Sequence, residues 1–235
     1  MRVFQQTTIA QSVSVSGAAL HSGAMTRATL KPADIGAGIV FRRVDTAEGA
    51  YEIGARIAAL SGSRRATTIA NPKGQSLSTV EHALAALSLC SVDNVLIEVE
   101  GTELPILDGS AAPWVDAIER AGVKPLPAAR EALRIRSAVE VADGDRFIRA
   151  EPSDGRMIEV EIDFEDAAIG RYSAKVDLGS PVDRRRVAAA RTFCRLADVE
   201  RLRACGLSLG GSVENAIVVD GARILNPEGL RDPQE

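Results

Sequence analysis

Near its midpoint the chain passes Gly122 and then Pro125 and Pro127, and this short stretch limits what the whole can become. Proline has no backbone donor for a helix interior or a central strand, and it pushes the residue before it out of the helical region. A helix that reaches Gly122 therefore stops there, and the stretch predicts a link between two units, residues 1–126 and 127–235. A phrase repeated about one domain length apart supports the division. Lys31-Pro32-Ala33-Asp34 with Gly36 and Ile39-Val40-Phe41 returns as Glu151-Pro152-Ser153-Asp154 with Gly155 and Ile158-Glu159-Val160. Such turn chemistry before an alternating strand is ordinary hairpin grammar, but at this spacing it also suggests an internal duplication.

Each unit has to close a core almost without aromatic residues: hydrophobic content is 46% and aromatic content 3%. Ala, Val, Leu and Ile suit helices laid on sheets. In the first unit a strand is predicted from Thr8 to Ser16, ended by Gly17. A turn, Leu20-His21-Ser22-Gly23, comes next, and strands over Arg27 to Lys31 and Gly38 to Arg43 read as a hairpin about Pro32 to Gly36. After a polar segment, Ser61 to Thr68, come a helix, the buried strand Val95 to Val99, the loop Glu103 to Ser110, and a second helix. Ser110 is that helix's candidate cap, and Trp114, Val115 and Ile118 form its inner face. The second unit predicts strands over Leu133 to Val141 and Arg146 to Glu151 joined at Asp143-Gly144, and a third over Arg156 to Phe164. A helix follows from Pro181 through Phe193, then a helical segment with Leu196, Val199 and Leu202 inward, and a final hairpin about Asp220-Gly221.

The stretch that carries chemistry is Ser78-Thr79-Val80-Glu81-His82-Ala83-Leu84-Ala85-Ala86-Leu87. Val80, Ala83, Leu84 and Leu87 follow the i, i+3, i+4, i+7 rule, so one face packs inward with Glu81 and His82 flanking it. Two readings fit. In one, Ser78 caps the helix and Glu81 closes a capping box. In the other, His82 is a metal ligand and Glu81 is the base that takes a proton from metal-bound water. His21, in a turn, is either structural or faces a site. The run Gly206-Leu207-Ser208-Leu209-Gly210-Gly211-Ser212 permits close backbone approach by a ligand or by a neighbouring strand.

Other classes are set aside by charge and composition. A net charge of −4 with mixed signs argues against nucleic acid as a partner, and Arg184-Arg185-Arg186 reads as a solvated helix face. Cys90, Cys194 and Cys205 are odd in number and widely spaced, so neither a disulfide framework nor a cysteine zinc cluster is expected. Met1 to Thr8 contains no apolar signal core, and no apolar run approaches membrane-spanning length. A soluble protein of the reducing cytoplasm is the expectation.

Leu20-His21-Ser22-Gly23, Ser78 to His82, Pro105-Ile106-Leu107-Asp108-Gly109-Ser110-Ala111-Ala112-Pro113, Ala190-Arg191-Thr192-Phe193 and Gly206 to Ser212 together resemble LpxC, the family of bacterial UDP-3-O-acyl-N-acetylglucosamine deacetylases of lipid A synthesis. The resemblance implies an α+β fold of two similar two-layer units, each a sheet packed with helices, facing each other across a Zn2+ site. It implies His82 as a zinc ligand, Glu81 as general base, Thr192 as an oxyanion donor and Phe193 as an aromatic beside the sugar. Residues Leu196 to Val219, within an insert of about 193–228, match the passage for the acyl chain, with Gly211, Ser212 and Ala216 as its small lining and Leu20 as a wall residue. Ala66 stands where many relatives carry a cysteine.

The family's remaining zinc ligands and its general acid match nothing here, since they follow the position of Glu235. The resemblance thus implies that the 235-residue chain is short of a complete catalyst, with an incompletely buried second unit. A non-catalytic binder of the acylated UDP sugar, or a relative in fold alone, are the alternatives.

Overall fold

The computed structural model describes residues 4–63, 65–233 and 235. Met1 to Val3 of the amino-terminal stretch, and Arg64 of the polar segment, lie outside the described residues. The fold is α+β.

The chain enters on β1 (Gln5–Ile9) and β2 (Val13–Ala18), two strands where alternation predicted one. The break falls at Ala10 and Gln11, whose N–H groups donate to the carbonyls of Gly122 and Ala121 at 2.8 and 3.2 Å. They satisfy the end of a helix rather than continuing a ladder. Antiparallel to β2 runs β3 (Met25–Pro32), followed by β4 (Ile39–Arg43) and β5 (Tyr51–Gly54). A small sheet, β6 (Leu60–Gly62), β7 (Thr68–Ala70) and β8 (Ser76–Leu77), leads into α1 (Glu81–Leu89) and then β9 (Val95–Glu100).

The hairpin predicted from β3 to β4 does not form. β9 lies between them, antiparallel to β3 and parallel to β4, giving the order β2-β3-β9-β4-β5. β9 is suited to that central place because Val95, Ile97 and Val99 are fully buried on one face. On the other face Glu98 meets Lys31 of β3 at 2.6 Å and Arg42 of β4 at 3.7 Å, a shared anion between two cationic strands. The repeated phrase shares this property: β3 and β4 do not pair with each other, and neither do the two strands that flank its second copy.

α1 and α2 (Ala112–Ala121) cover the sheet. Val80, Ala83 and Leu87 are buried as the helical spacing requires, whereas Leu84 is only half-buried and Ala86 takes the inner place. Trp114 and Ile118 are buried on α2, Val115 partly, and the helix ends at Gly122 with φ 70° as predicted. Each large side chain so buried stabilises the fold by about 1.5–3 kcal/mol. The proline stretch is not an open link. It is β10 (Val123–Ala129), paired antiparallel with β1 so that Thr7 faces Pro125. In a two-stranded ribbon every strand is an edge, where a missing N–H is tolerated.

In the second half β11 (Val139–Asp143) and β12 (Arg146–Ala150) form a hairpin where one was predicted, but β11 starts at Val139 rather than Leu133 and takes in Asp143, which pairs with Arg146, so the turn is Gly144-Asp145 with Gly144 at φ 63°. β13 (Met157–Asp163) pairs with β14 (Arg171–Asp177). α3 (Pro181–Ala189) begins on a Ser180 cap whose hydroxyl accepts from the Asp183 N–H at 3.3 Å. It stops at Ala189, well before the predicted Phe193. Beyond it Thr192 turns outward to bond the first half, and β15 (Phe193–Arg195) pairs in parallel with a later strand. α4 (Leu196–Ala204), with Leu196, Val199 and Leu202 only half-buried, β16 (Ile217–Asp220) and β17 (Arg223–Ile224) complete it. The half buries little: Val139, Phe147 and Ile148 are 58%, 69% and 74% exposed. No helix among the described residues is long and apolar enough to cross a membrane.

Candidate active site

The approach to α1 decides between the two readings of Glu81. Ser78 lies beside Glu103 in a parallel bridge, its N–H donating to the Thr102 carbonyl and its carbonyl accepting from the Leu104 N–H, both at 3.1 Å. With its backbone engaged there, Ser78 does not cap the helix. Its hydroxyl instead meets that of Thr68 at 3.1 Å, and Val80 occupies the N-cap position without a side-chain bond. Thr79 between them takes φ 58°, a left-handed conformation that a β-branched residue rarely adopts. The capping box is therefore not formed. Instead of reaching back to Ser78, the Glu81 carboxylate accepts at Oε2 from the Thr67 N–H at 3.1 Å. Its Oε1 makes no hydrogen bond among the described residues, which leaves a lone pair to take a proton.

His82 is half-buried, and that burial pushes its imidazole below the usual histidine range, against the opposing pull of the Glu81 and Asp108 charges. A neutral imidazole is the form that offers an electron pair to a metal or a proton. Asp108 thus acts on the site electrostatically, although sequence reading gave it no role beyond its place in a loop and in the family phrase from Pro105 to Pro113. Its Oδ1 accepts from the Ser110 N–H and hydroxyl at 3.0 and 2.8 Å, and its Oδ2 from Arg231 at 2.8 Å. Ser110 caps α2 in a modified way: its hydroxyl accepts from the Ala112 N–H at 3.2 Å, with Ala111 at the N-cap.

The second half reaches the site by backbone contacts. Thr192 donates its N–H to the Gly109 carbonyl at 3.3 Å and its carbonyl accepts from the Ile217 N–H at 2.9 Å, so its backbone lies against the Asp108–Ser110 loop while the residue is exposed. Phe193 packs edge-on against Phe164, centroids 5.2 Å apart. Leu209 and Gly210 donate to the carbonyls of His21 and Leu20 at 3.1 and 3.0 Å. The close approach to the glycine run is made by the turn at Leu20 and His21 rather than by a strand. Gly211 follows close to Leu20: a β-carbon built on Gly211 lies 3.5 Å from Leu20 Cδ1. Ser212 is exposed and Ala216 buried.

The structure therefore brings Leu20 to Gly211, and Thr192 to the loop that carries Asp108. It places no hydrogen bond between Thr192 or Phe193 and the Glu81–His82 pair among the described residues. His21 keeps a buried Nδ1 with no partner among the described residues. A catalytic zinc takes three protein ligands and an open position. Among the described residues no three His, Cys, Asp or Glu side chains converge as a ligand set, so this donor set does not by itself fit such an ion. The three cysteines are free thiols, and burial pushes that of Cys90 up to about 11.

Residues 6–235 match the family model described as UDP-3-O-acyl N-acetylglycosamine deacetylase. Among curated proteins, the UDP-3-O-acyl-N-acetylglucosamine deacetylase of Anaeromyxobacter dehalogenans is 45% identical over 235 residues, spanning 100% of this chain and 75% of its own length. That of Myxococcus xanthus is 44% identical over 232 residues, spanning 99% and 73%. That of Phenylobacterium zucineum is 42% identical over 233 residues, spanning 99% and 79%.

Proposed function

The chain belongs to the UDP-3-O-acyl-N-acetylglucosamine deacetylase family, and on that premise we propose that its site serves removal of acetate from a UDP-3-O-acyl-N-acetylglucosamine in lipid A synthesis. The observation that carries this reading is the Glu81 carboxylate, turned from its cap toward the Thr67 N–H beside a half-buried His82. In it, Glu81 accepts a proton from the water that attacks the acetamide carbonyl carbon. Collapse of the tetrahedral adduct breaks the C–N bond, acetate leaves, and the proton passes to the departing amine. The Thr192 hydroxyl donates to the oxygen on which negative charge develops. Phe193 lies against the sugar, and Leu20, Gly211, Ser212 and Ala216 line the passage for the acyl chain.

Zinc dependence is part of the same proposal. His82 is the one ligand assigned, and a single imidazole does not hold a catalytic zinc tightly, so the 235-residue polypeptide is proposed to be an impaired catalyst. Two similar two-layer units, divided at residues 126 and 127, and a cytoplasmic location are proposed with it. The lone imidazole also favours a second reading, a binder of the acylated UDP sugar without turnover.

Elemental analysis of the purified polypeptide beside His82→Ala, with acetate release measured in parallel, separates these readings. The expected result is far less than one zinc per chain, with residual turnover that Glu81→Gln lowers by roughly 100-fold or more. A full equivalent of zinc, lost in His82→Ala, would show that other groups complete the ligand set. Sugar binding without acetate release would select the binder.

A further inference from the structure

Glu103 lies outside every role given above, yet the residue is 4% exposed and forms no ion pair with lysine or arginine among the described residues. A buried carboxylate without a cation costs several kcal/mol unless its lone pairs are filled. Here they are filled from two directions. Oε1 accepts from the His21 N–H at 3.1 Å and from the Thr79 hydroxyl at 2.8 Å. Oε2 accepts from the His21 N–H at 3.1 Å and from the Ser22 N–H at 3.4 Å. Bonds to a charged acceptor are roughly twice as strong as neutral ones.

Each direction ends on a part of the candidate site. Thr79 is the residue at φ 58°, immediately before Val80 and the Glu81–His82 pair. A left-handed non-glycine residue is strained and persists only where its surroundings over-determine it. The hydroxyl bond to Glu103 is such a restraint. The other end is the turn carrying Leu20 and His21, whose carbonyls accept the N–H groups of Gly210 and Leu209.

We propose that Glu103 is a positioning residue: one buried carboxylate fixes the turn at Leu20–Gly23 against Thr79, and so sets the spacing between the docked 209–211 segment and the Glu81–His82 pair. What the cleft holds rests on the deacetylase reading; the tie itself does not. Neither reach nor charge is replaceable alone. Glutamine keeps the length but offers one carbonyl and a donor that opposes the Ser22 or His21 N–H, while aspartate keeps the charge and falls a methylene short.

The test is residue-resolved amide exchange on the full polypeptide and on Glu103→Gln, Glu103→Asp and Thr79→Val, with calorimetric titration of the acylated UDP sugar. Glu103→Gln is expected to lose roughly ten-fold protection at His21, Ser22, Leu209 and Gly210, to keep that of β9, and to bind the sugar roughly ten-fold more weakly; aspartate recovers part of each. Thr79→Val, isosteric and still leaving the carboxylate its turn bonds, is expected to weaken sugar binding while His21 and Ser22 stay protected. Loss confined to His21 and Ser22 would make Glu103 a local staple and overturn the proposal. So would uniform loss that includes β9, or unchanged affinity in Thr79→Val. If the unsubstituted polypeptide binds no sugar, the deacetylase reading fails instead, and the Leu209 and Gly210 amides still decide the tie.

Discussion

Replacing Arg191 with alanine is expected to lower stability by about 3–5 kcal/mol, measured by urea unfolding, although its side chain hydrogen-bonds no candidate site residue. Its side chain is fully buried, and so is that of Glu235. Nε donates to Glu235 Oε1 at 2.8 Å and one terminal nitrogen to Oε2 at 3.1 Å; further bonds reach Glu228 at 2.7 Å and the Gly229 carbonyl at 2.9 Å. The Arg191 backbone N–H adds a bond to Glu235 at 2.9 Å. Alanine leaves an uncompensated buried carboxylate, which costs more than the pair itself contributes. The pH dependence has a definite sign. Burial alone would raise the Glu235 carboxyl, but the bonds from Arg191, with further backbone donors, outweigh it and hold the carboxyl below its ordinary 4.5. The contribution is therefore fully present above pH 4.5 and lost as pH falls through the lower folded value. In Arg191→Ala this part of the acid dependence should vanish. An unchanged acid profile would mean that the pair does not form in solution.

Gly109→Ala is expected to be nearly as damaging, at about 3 kcal/mol, combining overpacking with a strained backbone. Gly109 has φ 78°, and an added β-carbon would lie 1.8 Å from the Asn215 carbonyl oxygen. The obstructing atom is backbone, so no rotamer change relieves the clash. Asn215 is fixed in turn by its own side chain, which donates to the Gly210 carbonyl at 2.9 Å and accepts from the Ser212 N–H at 2.9 Å. The substitution therefore displaces the 210–216 segment and, with it, the Thr192 N–H bond to Gly109. Amide exchange at Thr192 should quicken together with the loss in stability. Gly144→Ala is the control: φ is 63° there too, but nothing lies within 4 Å, so only the backbone cost remains, about 1–2 kcal/mol. Equal losses at both positions would remove the clash as the cause.

Local signals were legible where local physics decides. The end of α2 at Gly122, the Gly144 hairpin and the start of α3 at Pro181 all follow from backbone restrictions of single residues. Periodicity found Val80, Ala83 and Leu87, but placed Leu84 inward where Ala86 is. Pairing was not legible in the same way, because it depends on which distant strand competes. β3 and β4 have hairpin grammar between them, yet β9 offers both a buried face and the anion Glu98. β10 was hidden because two prolines mark a break unless an edge partner such as β1 is present. At the site, Glu81 and His82 stood out by residue type, and the remaining candidates came from the family resemblance. Glu103 did not stand out: a carboxylate in a loop reads as solvated, and only tertiary contact reveals that it is enclosed by N–H groups and a hydroxyl. A charged residue followed directly by the apolar run Leu104-Pro105-Ile106 was the one available hint.

The central place of β9 also imposes a timetable on synthesis. β3 and β4 leave the ribosome early, but the strand that both of them pair with lies beyond β5, the small sheet and α1. At about 5–20 residues per second, roughly 3–10 s separate the end of β4 from the arrival of Val95. Throughout that interval Leu30 and Phe41, each nearly or fully buried in the finished fold, lack the central strand that joins β3 to β4. Closing so long a loop costs entropy before any pairing repays it, which makes the first half a slow folder compared with a hairpin-built sheet of equal size. Nascent chains stalled before Val95 should therefore be the species most prone to aggregate, with β3 and β4 as the adhesive strands.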